Sequence, residues 1–141
     1  MNDKLVTLLG GGGFVGRYVA QALLATGARV RIAQRDPRQA FFLKPLGGLG
    51  QTQFIGADVT KPETIAHAVH GSDVVVNLVG VLAGDFHTVQ TIGAKTVAEA
   101  AAKATVEKAK TWPLAKIGLG VGIGSAAIAG AVLFNRSRNP N

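Results

Sequence analysis

The chain has 141 residues, the length of one ordinary domain. It carries no cysteine, which excludes disulfide frameworks, thiolate metal sites, iron–sulfur clusters and a cysteine nucleophile. Fifteen Lys and Arg against eight Asp and Glu give a net charge of +7, while 48% hydrophobic and only 16% charged residues exclude a solvated, disordered polymer.

The run Lys4–Leu9 is short and apolar and predicts a strand. A glycine cluster follows, and Phe14–Ala25 is helical in pattern, ending at Gly27. Arg29–Gln34 alternates as a strand until Asp36-Pro37 breaks it. Pro37–Leu43 predicts a short helix ahead of Pro45 and the loop Gly47-Gly48-Leu49-Gly50. Gln53–Val59 reads as a strand, and Pro62–Val69 as a helix stopped by His70-Gly71. Asp73–Leu82, with VVVNLVGVL inside it, predicts a buried strand, and a long helix is expected from about Phe86 to Lys110. Such alternation predicts a parallel sheet with helices on both faces.

Residues 117–134 are free of charge, and the stretch 114–134 contains only Lys116 near one end. A bilayer-spanning helix needs about 20 apolar residues, since each adds about 1.5 Å against a core of about 30 Å. Trp112 stands at one edge and Arg136 and Arg138 at the other, as interfacial flanks do. A membrane anchor over 114–134 with a basic tail over 135–141 is therefore expected. The alternative is a glycine-rich buried helix or strand. Twelve of the basic residues fall before position 111, with all eight acids, and no basic run is interleaved with aromatics. Nucleic acid is thus not an expected partner. His67 and His70 share a helix face, but no third ligand is placed with them and His87 stands apart, so a metal site is not expected either.

Glycines at 10, 13 and 16 give the spacing G-x-x-G-x-x-G immediately after a strand and opening a helix. A pyrophosphate needs that arrangement. Without side chains the turn brings backbone N–H groups to the phosphates, and the helix N-terminus adds about half a positive charge. No Lys-Ser/Thr follows, so the turn is not one for nucleoside triphosphates. The bland alternative is a glycine-rich turn with no ligand. The second strand ends Gln34-Arg35-Asp36, which places Arg35 where a ribose 2′-phosphate would sit, with Arg31 and Arg38 nearby to raise the potential. NADP(H) is accordingly expected over NAD(H), while Asp36 is free to pair with Arg35 or to cap the next helix. Asp58-Val59 at the end of the third strand would flank an adenine, or Asp58 would simply form the turn before Thr60-Lys61-Pro62. At the end of the fourth strand, Asn77-Leu78-Val79-Gly80 offers a small residue beside the ribose.

The first ~105 residues resemble the atypical, extended-type short-chain dehydrogenase/reductases, and more narrowly the nucleotide-binding accessory subunit of respiratory complex I and its bacterial relatives. The turn GGGGFVGR, the strand end NLVG and VQ-x-x-GA on the next helix carry the likeness. The resemblance implies an α/β Rossmann-like fold, truncated to about four parallel strands in the order 3-2-1-4 and followed here by the transmembrane helix. It also implies an NADPH that is structural rather than catalytic. On that basis Gly10, Gly13, Phe14, Val15 and Gly16 would hold the pyrophosphate and Arg35 the 2′-phosphate. Asp58 and Val59 would lie by the adenine, and Leu78, Val79 and Gly80 on the ribose side.

The family's catalytic Ser/Thr strand and Tyr-x-x-x-Lys helix have no counterpart. The likeness fades at about residue 105, and the only tyrosine, Tyr18, has Ala22 four residues on. The expected organisation is a nucleotide-binding domain over 1–105, a linker or helix end over 106–113, the anchor and the tail. The expected protein is non-catalytic. It would sit on the cytoplasmic or matrix side of the inner or cytoplasmic membrane, with respiratory complex I or another membrane protein subunit as partner. Three alternatives stand beside it: a vestigial fold acting only through protein contacts, a reductase interrupted by a frameshift, and a half-enzyme completed by a separate chain.

Overall fold

Period-two alternation sorts the strand residues onto two faces, and each face acquires its own helical cover. The computed structural model describes residues 2–80 and 87–110. Four strands, β1 (Leu5–Leu9), β2 (Arg29–Gln34), β3 (Thr52–Gly56) and β4 (Val74–Asn77), lie parallel in the order β3-β2-β1-β4. Three α-helices, α1 (Phe14–Ala25), α2 (Pro62–Val69) and α3 (Gly93–Lys110), are joined by a 3-10 segment, Pro37–Leu46, and a π-helical turn, His87–Ile92.

Val6, Leu8, Val30 and Ile32 face Ala20 and Leu24 of α1 and Ala40 and Leu43 of the 3-10 segment. On the other side Leu9 and Ala33 meet Ile65, Ala68 and Val69 of α2 and Val97 and Ala100 of α3. The register sets β1 beside both neighbours, with Leu8 opposite Ile32 and Val76. This is the expected parallel sheet, covered on both faces.

Two strands stop earlier than their apolar patterns predict. β3 ends at Gly56. Ala57 N–H still bonds to the Gln34 carbonyl at 2.9 Å before the chain turns at Asp58. β4 covers only Val74–Asn77 of the expected Asp73–Leu82 and is not buried, Val74 being 41% exposed. Asn77 ends it by accepting the Val79 N–H on its own Oδ1 at 3.1 Å. Among the described residues β4 has one sheet neighbour, β1, so its outer side is uncovered.

Asp73 fastens three elements at the amino ends of the strands. Its Oδ2 accepts the Leu5 N–H at 2.8 Å, its own N–H bonds to the Leu5 carbonyl, and its Oδ1 pairs with Lys108 of α3. Burial pushes the Asp73 carboxyl up. The hydrogen bonds from Lys108 and Leu5 and the charges of Lys108 and Lys4 outweigh that, leaving it below the usual carboxylate range.

No helix among the described residues is long and apolar enough to cross a membrane. The expected anchor, 114–134, and the basic tail, 135–141, lie outside the described residues.

Candidate functional site

The carboxyl ends of β1, β2 and β4 converge on the glycine cluster. Gly10 leaves β1 with φ +77°, a left-handed conformation that favours glycine, and its N–H bonds to the Ala33 carbonyl of β2 at 2.8 Å. A Cβ built on Gly10 would lie 3.2 Å from the Leu78 carbonyl group and 3.3 Å from the Val79 nitrogen, so the turn rests on the backbone that leaves β4. Gly16 is fixed by packing instead. A Cβ there would stand 2.5 Å from the Gly10 oxygen, so the first turn of α1 lies directly on the glycine cluster. Gly13 is the N-cap of α1, and its carbonyl accepts the Arg17 N–H at 3.2 Å. The N–H groups of Phe14, Val15 and Gly16 have no partner within the helix, as helix geometry dictates. The candidate phosphate residues are thus brought together on one helix end.

A residue that composition does not single out organises this turn. Gln34, the last residue of β2, accepts the Gly12 N–H on Oε1 at 2.9 Å and donates from Nε2 to the Asp36 carbonyl at 2.8 Å. A Cβ on Gly12 would fall 2.3 Å from that Oε1 and 2.9 Å from the Ala40 methyl. The signal in the sequence is a polar side chain at the inward-facing position that follows Val30 and Ile32.

The three arginines of this region have different fates. Arg31 points to the α2 face, where it donates to Gln53 Oε1 at 2.9 Å and to the carbonyls of Ala68 and His70 at 2.7 and 2.8 Å. Arg38 pairs in two-pronged fashion with Asp36, 3.0 Å from Oδ1 and 3.2 Å from Oδ2. Asp36 also accepts the Arg38 N–H, capping the 3-10 segment, and those bonds hold its carboxyl below the usual range. Arg31 keeps its charge but is directed to neutral acceptors at the α2 end, while the charge of Arg38 is offset by its own neighbour Asp36. Arg35 remains exposed, without a hydrogen bond or ion pair among the described residues, and near enough to act on Asp58 through its charge.

Asp58 Oδ1 accepts both the Thr60 hydroxyl at 2.7 Å and the Thr60 N–H at 2.9 Å. The hydroxyl bond first, then the N–H bond, with help from Lys61 and Arg35, holds the carboxyl below its usual range against a small burial effect. Asp58 therefore forms the turn that leads into α2. Val59 is buried against α3, where a Cβ on Gly93 would come within 2.9 Å of its methyl. Leu78 and Val79 are half-buried and extend the site along β4. Leu78 N–H bonds to the Leu9 carbonyl at 2.9 Å, and among the described residues nothing lies within 4 Å of a Cβ built on Gly80. Tyr18 lies on the outer side of α1, 59% exposed and edge to face with Phe14. Among the described residues no group of histidines and carboxylates is gathered as metal ligands.

The family described as NAD(P)H-binding matches residues 10–112. The NADH-ubiquinone oxidoreductase 40 kDa subunit, mitochondrial, of Neurospora crassa is 36% identical over 112 residues, covering 77% of this chain and 30% of that protein. The mitochondrial NADH dehydrogenase (ubiquinone) 1 alpha subcomplex subunit 9 of Mus musculus is 35% identical over 113 residues, again 77% of this chain and 30% of the relative. The chain thus spans under a third of the length of these relatives. Among solved structures, a short-chain type dehydrogenase/reductase from Mycobacterium ulcerans matches with a TM-score of 0.69 at 26% identity, covering 77% of this chain and 48% of that one.

Proposed function

The chain belongs to the NAD(P)H-binding family, and from that premise we propose that it is a membrane-anchored module that holds NADP(H) without catalysing hydride transfer. Its nucleotide-binding part is related to subunits of the mitochondrial NADH-ubiquinone oxidoreductase. The setting proposed for it is the same: an accessory or assembly role beside respiratory complex I, on the matrix or cytoplasmic side of the membrane that carries it.

One observation carries the reading. A backbone cradle bare of side chains runs from Gly10 to Gly13 into the start of α1, and beside it stands Arg35, a guanidinium that no carboxylate occupies among the described residues. The N–H groups of Phe14, Val15 and Gly16 would take the pyrophosphate, with Gly10 and Gly13 leaving room for it, and Arg35 would take the 2′-phosphate that distinguishes NADP(H). Asp58 Oδ1 already accepts twice from Thr60, which leaves Oδ2 for the adenine amine. Val59 would border the adenine, and the backbone of Leu78, Val79 and Gly80 the ribose. A bound nicotinamide cofactor supplies a hydride. The reading without hydride transfer is supported by Tyr18, the only tyrosine in the sequence, which is 59% exposed, edge to face with Phe14, and has Ala22 where a lysine would stand four residues on. The uncharged stretch 117–134 is the proposed anchor.

A mass spectrum of small molecules released from detergent-purified full chain tests the reading. NADPH near one equivalent supports it. No nucleotide, together with no thermal shift on adding NADPH, NADP or NAD, would leave a protein that works only through protein contacts.

A further inference from the structure

The layer formed by α1 and Pro37–Leu46 carries large exposed side chains on its outer surface. Phe14 is 75% exposed, Phe42 50%, and Leu49 in the following loop is fully exposed. Single exposed apolar residues are ordinary, but these are joined. The Phe14 and Tyr18 rings meet at 5.8 Å, and Arg17 reaches both Phe14, at 5.9 Å, and Phe42, at 5.5 Å. Phe41 meets Phe54 of β3 at 5.2 Å, with Lys44 3.9 Å from the Phe41 ring. Rings and cations thus form two clusters on this layer, and the chain neighbours Phe41 and Phe42 set them side by side as a belt from the start of α1 to the β3 side of the sheet.

Cations accompany the rings. Of the Lys and Arg in residues 4–57, Arg17 and Lys44 lie against the belt itself, whereas Arg29 and Arg38 pair with Asp3 and Asp36, Lys4 stands 4.0 Å from Asp73, and Arg31 turns to α2. Residues 14–54, which supply the belt, contain one acid, Asp36, while residues 58–110, which supply the opposite helical layer, contain six. The charge that the belt itself presents is therefore positive.

We infer that this belt is a docking surface for an anionic lipid bilayer. The rings and Leu49 seat at headgroup depth, and Arg17 and Lys44 meet lipid phosphates. Leu46 and Leu49 favour a bilayer over single-stranded nucleic acid, because an aliphatic side chain gives a base no platform. This contact belongs to the folded domain and goes beyond the anchor proposed over 114–134, so the two fail separately.

The chain has no cysteine, so Leu49→Cys and, on the opposite layer, Glu99→Cys each provide one site for a polarity-sensitive fluorophore. The full chain is reconstituted into vesicles of phosphatidylcholine alone, or of an equal mixture with phosphatidylglycerol. The label at 49 should shift to the blue only on the mixed vesicles, and the label at 99 on neither. Adding Lys44→Glu should lower the docked-to-undocked ratio about tenfold while leaving the melting temperature unchanged. Equal emission from position 49 on both vesicle types, with the chain still floating with the lipid, would overturn the belt and leave the anchor standing. A blue shift that grows with protein concentration in the absence of vesicles would assign the surface to protein contact and overturn the inference. So would a shift produced by a single-stranded oligonucleotide and not by lipid.

Discussion

Gly12 and Gln34 hold the phosphate turn and the end of β2 together, N–H to Oε1 at 2.9 Å, while the same amide reaches on to the Asp36 carbonyl. One side chain thereby sets the distance between the turn that would receive the pyrophosphate and the arginine that would receive the 2′-phosphate. Gln34→Ala should cost about 1 kcal/mol of stability and, by loosening both ends, weaken NADPH binding about tenfold. Melting and calorimetric titration measure the two effects separately. Equal affinity in the variant would reduce the bracket to a purely structural contact.

Gly13→Asp separates binding from folding. Gly13 has φ −74°, and an added Cβ meets only the Gly10 oxygen at 3.2 Å, so a side chain fits after a small adjustment. Aspartate is also a favoured N-cap. The variant should therefore melt within about 1 kcal/mol of the parent and bind no dinucleotide, since a carboxylate would stand where the phosphates sit. Gly16→Ala should differ. Its methyl would press on the Gly10 oxygen at 2.5 Å, and a loss of about 2 kcal/mol or more is expected, with binding lost as well.

Arg35→Ala should lower affinity for NADPH by about tenfold to a hundredfold and leave NADH unchanged, as expected for a charge-assisted contact to a phosphate. Arg38→Ala should leave the NADPH-to-NADH ratio as it was, because Asp36 already occupies that guanidinium. Comparable losses from both variants would show that the discrimination is a diffuse field and not a contact.

Asp73 predicts an acid-sensitive fold. Its folded pKa lies below the unfolded value of about 3.9, so its contribution is complete above that value and disappears as the pH falls through the folded pKa. Against Asp73→Asn, the parent chain should be more stable by about 1 kcal/mol near neutrality, the partial exposure limiting the gain. That advantage should vanish at strongly acidic pH. A difference that does not change with pH would assign the loss to geometry alone.

Residue order disclosed the elements best where a local stop or start is chemically explicit. Phe14–Ala25 is closed by Gly27 and Pro62–Val69 opened by its proline, and both helices have the expected bounds. The run VVVNLVGVL overstates the length of β4, because its apolar residues say nothing of an asparagine within it that accepts the N–H two residues later. Gln34 was hidden for a related reason. A polar residue ending a strand looks like solvent-facing punctuation until the turn beneath it is placed. The arginines show the limit most clearly. Arg31, Arg35 and Arg38 are neighbours in sequence, yet Arg31 is drawn to the carbonyls at the end of α2 and Asp36 claims Arg38.

The knot at Asp73 gives the molecule a polarity. β1 carries the chain roughly 13 Å from Leu5 to the glycine turn, at about 3.3 Å per residue. Lys108 ties the far end of α3 back to the Leu5 end. The polypeptide thus leaves α3 at the pole opposite the one where a dinucleotide would enter. Tension or tethering applied beyond residue 110 would be delivered to the feet of the strands and would reach the cradle only through the length of the sheet.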